Sequence, residues 1–238
     1  MNRISARLRR TFHYYLNSYK VKYWRKRSPN LYLGSIEKAQ IQRKDGSFIG
    51  TSIYPMHFFE IFCDLSRACL PFASSTIYKV QGEDVLEHLN YEQLPNLFDE
   101  IYRVLVIGGV FRVSVPDYQA PFLLKRCVFD YSGEIVLDAS TDSNVGFDIV
   151  SGTPTLHNDA LGNSHLWFPT HNLLLQLIQE SHFKNSSEVV LYHGYFSKVD
   201  FVTEVIPDHT MPVRRSPPGD FRNEGKPISL VLDIIKRS

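Results

Sequence analysis

Residues 63–118 constrain this chain more tightly than any other stretch. An acid, Asp64, follows one almost wholly apolar run (residues 58–63). A second run (residues 77–81) leads to the acidic pair Glu83–Asp84 and the phrase Val-Leu-Glu-His-Leu. Leu94, Leu97, Phe98, Ile101, Tyr102 and Leu105 then recur at helical spacing. Asn90 is placed to cap that helix, and Glu92 and Gln93 fall in its first turn, where acceptors are favoured. Gly108-Gly109 is expected to stop the helix, and residues 110–115 read as a strand closed by Pro116-Asp117. Strand, helix and strand in this order imply a right-handed crossover between parallel strands. Near-continuous apolar runs suit strands covered on both faces.

The flanks extend the pattern. Residues 30–33 form a short apolar strand ending at Gly34-Ser35, and residues 47–54 a second strand ending at Pro55. Residues 118–165 are rich in Ser, Thr, Asn, Asp and Gly, and a structureless loop of that length is improbable in a compact domain. They read as an insertion with a helix near residues 121–129. Residues 170–183 are helical again, residues 188–192 and 228–235 read as two closing strands, and the proline-rich residues 207–227 as a surface connection between them. The expected organisation is a basic aromatic leader helix (residues 1–28) before one domain (residues 29–238).

Composition narrows the function classes. A net charge of +1 over 238 residues gives no reason to expect nucleic acid. No apolar run approaches the length that spans a bilayer. Cys63, Cys69 and Cys127 lack metal-ligand spacing and fit free thiols in a reducing cytosol. The nine Lys and Arg of residues 1–27, with no acid among them, are interleaved with Phe12, Tyr14, Tyr15, Tyr19, Tyr23 and Trp24. Such a segment suits peripheral contact with an anionic membrane or a phosphorylated partner, or equally a solvated helix packing its aromatics on the domain.

In a doubly wound sheet, ligands bind beyond the carboxyl ends of the strands. Four strand ends here finish in small or acidic residues: Gly34-Ser35, Asp64, Glu83-Asp84 and Pro116-Asp117. Asp64, Leu65, Leu70, Pro71 and Phe72 form a D-L-x-x-x-x-L-P-F phrase; Val85 to Leu89 form V-L-E-H-L; Arg103-Val104-Leu105 with Gly108-Gly109, then Val115-Pro116-Asp117, complete the run. The chain thereby resembles class I S-adenosylmethionine-dependent methyltransferases, in particular the small enzymes of glycan and polysaccharide biosynthesis. The resemblance covers roughly residue 30 to the C-terminus, with His165 and Trp167 matching a further His-x-Trp pattern.

The resemblance implies a Rossmann-like α/β fold with a mostly parallel seven-stranded sheet, S-adenosylmethionine as cofactor and a small-molecule or glycan acceptor methylated on oxygen. It implies cofactor contacts from Gly34, Ser35, Asp64, Leu65, Glu83 and Asp84. An oxygen acceptor also needs a base, for which Asp84, His88, Asp117 and His165 are candidates. Each has a plainer reading, as a helix cap, a Pro-Asp turn or a staple for the insertion. Two departures stand out: Ile36-Glu37-Lys38 occupies the expected glycine loop, and Ser52 stands where an acid usually binds the ribose. A catalytically silent binding or scaffold protein is the alternative.

Overall fold

The structure, a computed structural model, describes residues 16–36, 47–55, 57–138, 165–216 and 222–238, and the backbone of residues 145–147 and 154–156. Among the described residues, twelve strands run in chain order: β1 (Asn30–Leu33), β2 (Phe48–Ser52), β3 (Glu60–Phe62), β4 (Ile77–Glu83), β5 (Leu105–Pro116), β6 (Cys127–Phe129), β7 (Ile135–Asp138), β8 (Val145–Phe147), β9 (Pro154–Leu156), β10 (Ser187–Tyr195), β11 (Phe201–Thr203) and β12 (Ser229–Lys236). The helices are α1 (residues 16–25), α2 (Leu94–Val104), α3 (Pro121–Leu124) and α4 (His171–Gln179).

The main sheet has the order β11-β10-β12-β5-β4-β1-β2-β3. Strands β3, β2, β1, β4 and β5 are mutually parallel, whereas β12 is antiparallel to both β5 and β10. The chain leaves β1 toward β3 and returns on the other side at β4, so strand order reverses between β1 and β4. Among the described residues this sheet has eight strands, one more than expected, because β11 folds back on β10 as an edge hairpin.

Side chains alternate across a strand, and the register turns that alternation into two different faces. Leu31, Val80, Phe111 and Ile234 stand in one cross-strand row, all fully buried. One residue along, Tyr32, Gln81, Arg112 and Asp233 form a row on the opposite face. The apolar face is covered by α2 and α4 through Leu94, Leu97, Phe98, Ile101, Leu174 and Leu177. Phe98 meets Phe111 edge to face at 5.4 Å between centroids.

The polar face is crossed by residues 207–216. The buried Arg112 guanidinium grips Asp233 through Nε (2.7 Å) and Nη2 (2.8 Å) and donates to the carbonyls of Met211 (2.6 Å) and Pro207 (3.0 Å). Gln81 donates to the Pro212 carbonyl, and Met211 packs on Tyr32, Ile36 and Phe48. The proline-rich connection is therefore half interior rather than superficial. Its turns and bends leave carbonyls outside any helix or strand, and the charged row of the sheet satisfies those of Pro207, Met211 and Pro212.

Three local expectations are corrected. Asn90 accepts from Glu92 N as the capping reading requires, but it caps a 3-10 turn (Tyr91–Gln93) that precedes α2. Helix α2 ends at Val104, ahead of Gly108-Gly109. The glycines instead allow a bulge in β5: Ile77 pairs with Leu105 and Lys79 with Val110, Gly108 has φ +80, and a Cβ on Gly109 would lie 2.9 Å from Val106 O. The helix expected near residues 121–129 stops at Leu124; Cys127–Phe129 pairs with β7 through a turn in which Asp130 Oδ1 accepts from Ser132 N and Glu134 N. Helix α1 lies along the β3 edge, where Lys20 Nζ donates to the His57 and Glu60 carbonyls and Trp24 Nε1 to that of Phe58.

Candidate functional site

The carboxyl ends of β1, β3, β4 and β5 meet at one edge. At the end of β1, Gly34 adopts φ +92, and a Cβ there would come within 3.1 Å of Val85. Ser35 Oγ donates to Glu60 Oε1 (2.6 Å), and Ile36 is fully buried. Glu37 and Lys38, the remaining part of the altered glycine loop, lie outside the described residues. Ser52 Oγ accepts from Tyr54 N at 3.0 Å. Asp64 caps the short turn that contains the buried Leu65: its Oδ1 accepts from Ser66 Oγ and N, and its Oδ2 from Arg67 Nε. The Ser66 hydroxyl, ahead of other contacts, holds this carboxyl below the usual range.

The end of β4 is built differently. Glu83 Oε1 accepts from Arg214 N (2.6 Å), and Asp84 Oδ2 lies 3.1 Å from Arg215 Nε. That last contact is an ion pair without hydrogen-bond geometry, since neither Asp84 oxygen has a hydrogen-bond partner. Asp84 holds φ +52, with its N–H bonded to Ser114 O. The chain then enters a 3-10 turn, Leu86–His88. Residues 165–167 are stitched onto this turn: Trp167 Nε1 donates to Leu86 O (2.8 Å) and Leu166 N to Glu87 O (2.8 Å). Trp167 is buried and packs against Tyr91, so it serves as a staple here.

The stitching brings His165 against His88, with ring centroids 5.0 Å apart. His165 Nδ1 lies 2.6 Å from Tyr118 OH, which donates to Asp138 Oδ2 at 2.6 Å; Arg126 pairs with Asp138 at 2.9 Å. The single Tyr118 proton goes to Asp138, so His165 donates through Nδ1 and keeps its lone pair on Nε2. That nitrogen faces Glu87 Oε1 at 3.9 Å. Glu87 is fully buried, and neither of its oxygens is hydrogen-bonded. Burial first, and the Asp84 charge second, push its carboxyl well above the usual range. Burial, then the neighbouring His88, lower the His165 imidazole to about 4.

Asp117 sits apart from this cluster. Its Oδ1 accepts from Gln119 N (3.0 Å) and its Oδ2 from Tyr195 N (2.6 Å), so it fastens β5 to β10, and burial raises its carboxyl to about 6. The site thus joins His88 and His165, places Asp84 beside them under an arginine pair, and engages Asp117 elsewhere. Glu87, Tyr118, Asp138 and the Arg214–Arg215 pair are members that sequence reasoning missed. Glu87, inside the Val-Leu-Glu-His-Leu phrase, and the Arg-Arg pair, charged within a proline-rich run, left a visible signal.

The sequence matches no known protein family, and no curated protein matches it. Its fold is similar to a methyltransferase dependent on S-adenosylmethionine (SAM) from Archaeoglobus fulgidus: TM-score 0.50, 14% identity, covering 98% of this chain and 93% of that one. A SAM-dependent methyltransferase from Mesorhizobium loti aligns at TM-score 0.45 and 14% identity, over 87% of this chain and 90% of that one. The chain therefore has the mostly parallel, Rossmann-like α/β fold seen in SAM-dependent methyltransferases.

Proposed function

We propose that the protein is a SAM-dependent methyltransferase that methylates an oxygen of a small-molecule acceptor, namely a sugar or glycan precursor, in the cytoplasm. The observation that carries this reading is the Glu87–His88–His165 cluster, buried at Glu87 and His165 and half-buried at His88, at the edge where strand order reverses. There one imidazole nitrogen is held with its lone pair available.

The residues fit the cofactor in part. Gly34 offers bare backbone at the reversal point, and Asp84 would meet the cofactor's cationic end only by exchanging its ion pair with Arg215. Asp64, with Leu65, stands at the neighbouring strand end. Ser35 and Glu83 would serve through backbone and charge, since their side chains are engaged with Glu60 and Arg214. The ribose end is weakest, because Ser52 carries no carboxylate.

Bound SAM supplies a methyl group on a sulfonium, which is displaced in line, so positioning provides much of the rate. On this chain His165 Nε2, or His88 beside it, takes the acceptor proton. Tyr118 and Asp138 hold the His165 ring in one tautomer and stabilise it when charged. The insertion supplies Tyr118 and Asp138, and the choice of acceptor is assigned to it. The basic leader, of which residues 1–15 lie outside the described residues, offers peripheral membrane contact.

The test is label transfer from methyl-labelled SAM to a panel of sugar and glycan precursors. His88→Ala and His165→Ala should lower turnover by about 10²-fold or more, with binding of S-adenosylhomocysteine changed little. Turnover unaffected by both substitutions would sink the reading. A second reading, a catalytically silent binding protein, is favoured by Arg214 and Arg215 lying against Glu83 and Asp84. It predicts no transfer to any acceptor, and cofactor binding that appears only when both arginines are replaced.

A further inference from the structure

We propose that Glu87, His88 and His165 form a binding site for a divalent transition ion of the zinc class. One donor atom from each lies within 4.8 Å of the other two. Two imidazoles and one carboxylate, with a fourth position open to a ligand, is a donor set that zinc accepts in catalytic sites.

Three observations beyond this clustering point the same way. Both Glu87 oxygens are buried in the interior without a hydrogen bond, an arrangement that costs free energy unless something meets them. The gap of 3.9 Å between Glu87 Oε1 and His165 Nε2 is too long for a hydrogen bond. It is close to the separation of about 3.4 Å expected for two donors each about 2.1 Å from a tetrahedral ion. Finally, His165 already has the outer partner that metal-bound histidines use. Its Nδ1 donates to Tyr118, which donates in turn to Asp138, itself paired with Arg126, leaving Nε2 to face inward. Asp84 and its partner Arg215 lie on the same side and balance each other's charge.

The site itself stands independently of the methyltransferase reading. Only its role rests on that reading: with an ion held here, His88 and His165 would serve as ligands in place of the base, and the ion would bind the acceptor oxygen and make its proton easier to lose to solvent. Ion binding is measured without cofactor, so failure of methyl transfer and failure of the site are separate results.

The experiment titrates the full chain, stripped of metal with a chelator, with Co2+ and then Zn2+. One equivalent of Co2+ should give visible ligand-field absorption of the tetrahedral type, which Zn2+ abolishes. Glu87→Gln, which keeps shape and folding, and His165→Ala should each weaken Zn2+ binding by about 100-fold or more, and Tyr118→Phe by about tenfold. His171→Ala and His182→Ala should leave it unchanged. Binding of less than a tenth of an equivalent, or full binding by Glu87→Gln, would overturn the site.

Discussion

The carboxyl ends of β1 and β4 are neighbours in one sheet, yet they treat their polar groups in opposite ways. On the β1 side, at the ends of β1, β2 and β3, the side chains are engaged: Ser35 with Glu60, Ser52 with the Tyr54 backbone N–H, Asp64 with Ser66 and Arg67. At the β4 end, Asp84 and Glu87 keep carboxylate oxygens without hydrogen bonds, and His165 presents a fixed lone pair to one of them. Buried polar groups left without partners are costly. The β4 end therefore bears a cost that the β1 side avoids, and for that reason the proposed proton transfer is assigned to it. The proposed reading leaves the β1 side to recognise its ligand through backbone and shape.

The largest expected effect tests whether this contrast depends on residues 207–216, which supply Arg214 and Arg215. Arg112→Ala strands Asp233 in the interior and frees the Met211 and Pro207 carbonyls. We expect a loss of about 3–5 kcal/mol in urea unfolding. A loss below about 1 kcal/mol would mean that the segment is only loosely held. Next comes the split between the two ends. His165→Ala should cut turnover by about 10²-fold or more, whereas Ser35→Ala should leave turnover intact and alter cofactor binding by less than about tenfold. Equal effects in steady-state kinetics would erase the contrast.

A gain of function sharpens it further. Ser52→Asp places a carboxylate at the β1 side and should tighten S-adenosylhomocysteine binding by about tenfold, the worth of one charge-assisted hydrogen bond. Unchanged calorimetric affinity would mean that the ribose is bound elsewhere.

The smallest effect concerns pH. Burial raises folded Asp117 to about 6, above its unfolded value, so the native state binds the extra proton. This contribution to stability is present at low pH and is lost as pH rises through about 6. In Asp117→Asn that slope should disappear, so the stability of the wild-type chain relative to the variant should fall between pH 5 and pH 7. A constant difference would show that Asp117 is ionised throughout.

Much of the fold was legible because it rests on local periodicity. The row of Leu31, Val80, Phe111 and Ile234, and the α2 stripe of Leu94, Leu97, Phe98 and Ile101, are each written into short runs. The bulge at Gly108-Gly109 was misread as a helix stop, since the same glycines serve either purpose. Residues 207–216 were misread as surface because their partners, Arg112, Gln81 and Asp233, are distant in sequence. The site was legible as single residues and illegible as a cluster. His88 and His165 stood out within motifs. Their contact depends on the Leu166 and Trp167 bonds to the turn after β4, which no local pattern announces.

The most direct measurement of the central claim is calorimetric titration of the full chain with S-adenosylhomocysteine. Saturable binding with Kd in the micromolar range, about −8 kcal/mol, weakened by Asp64→Ala, is the predicted result. No detectable heat at millimolar ligand would contradict it.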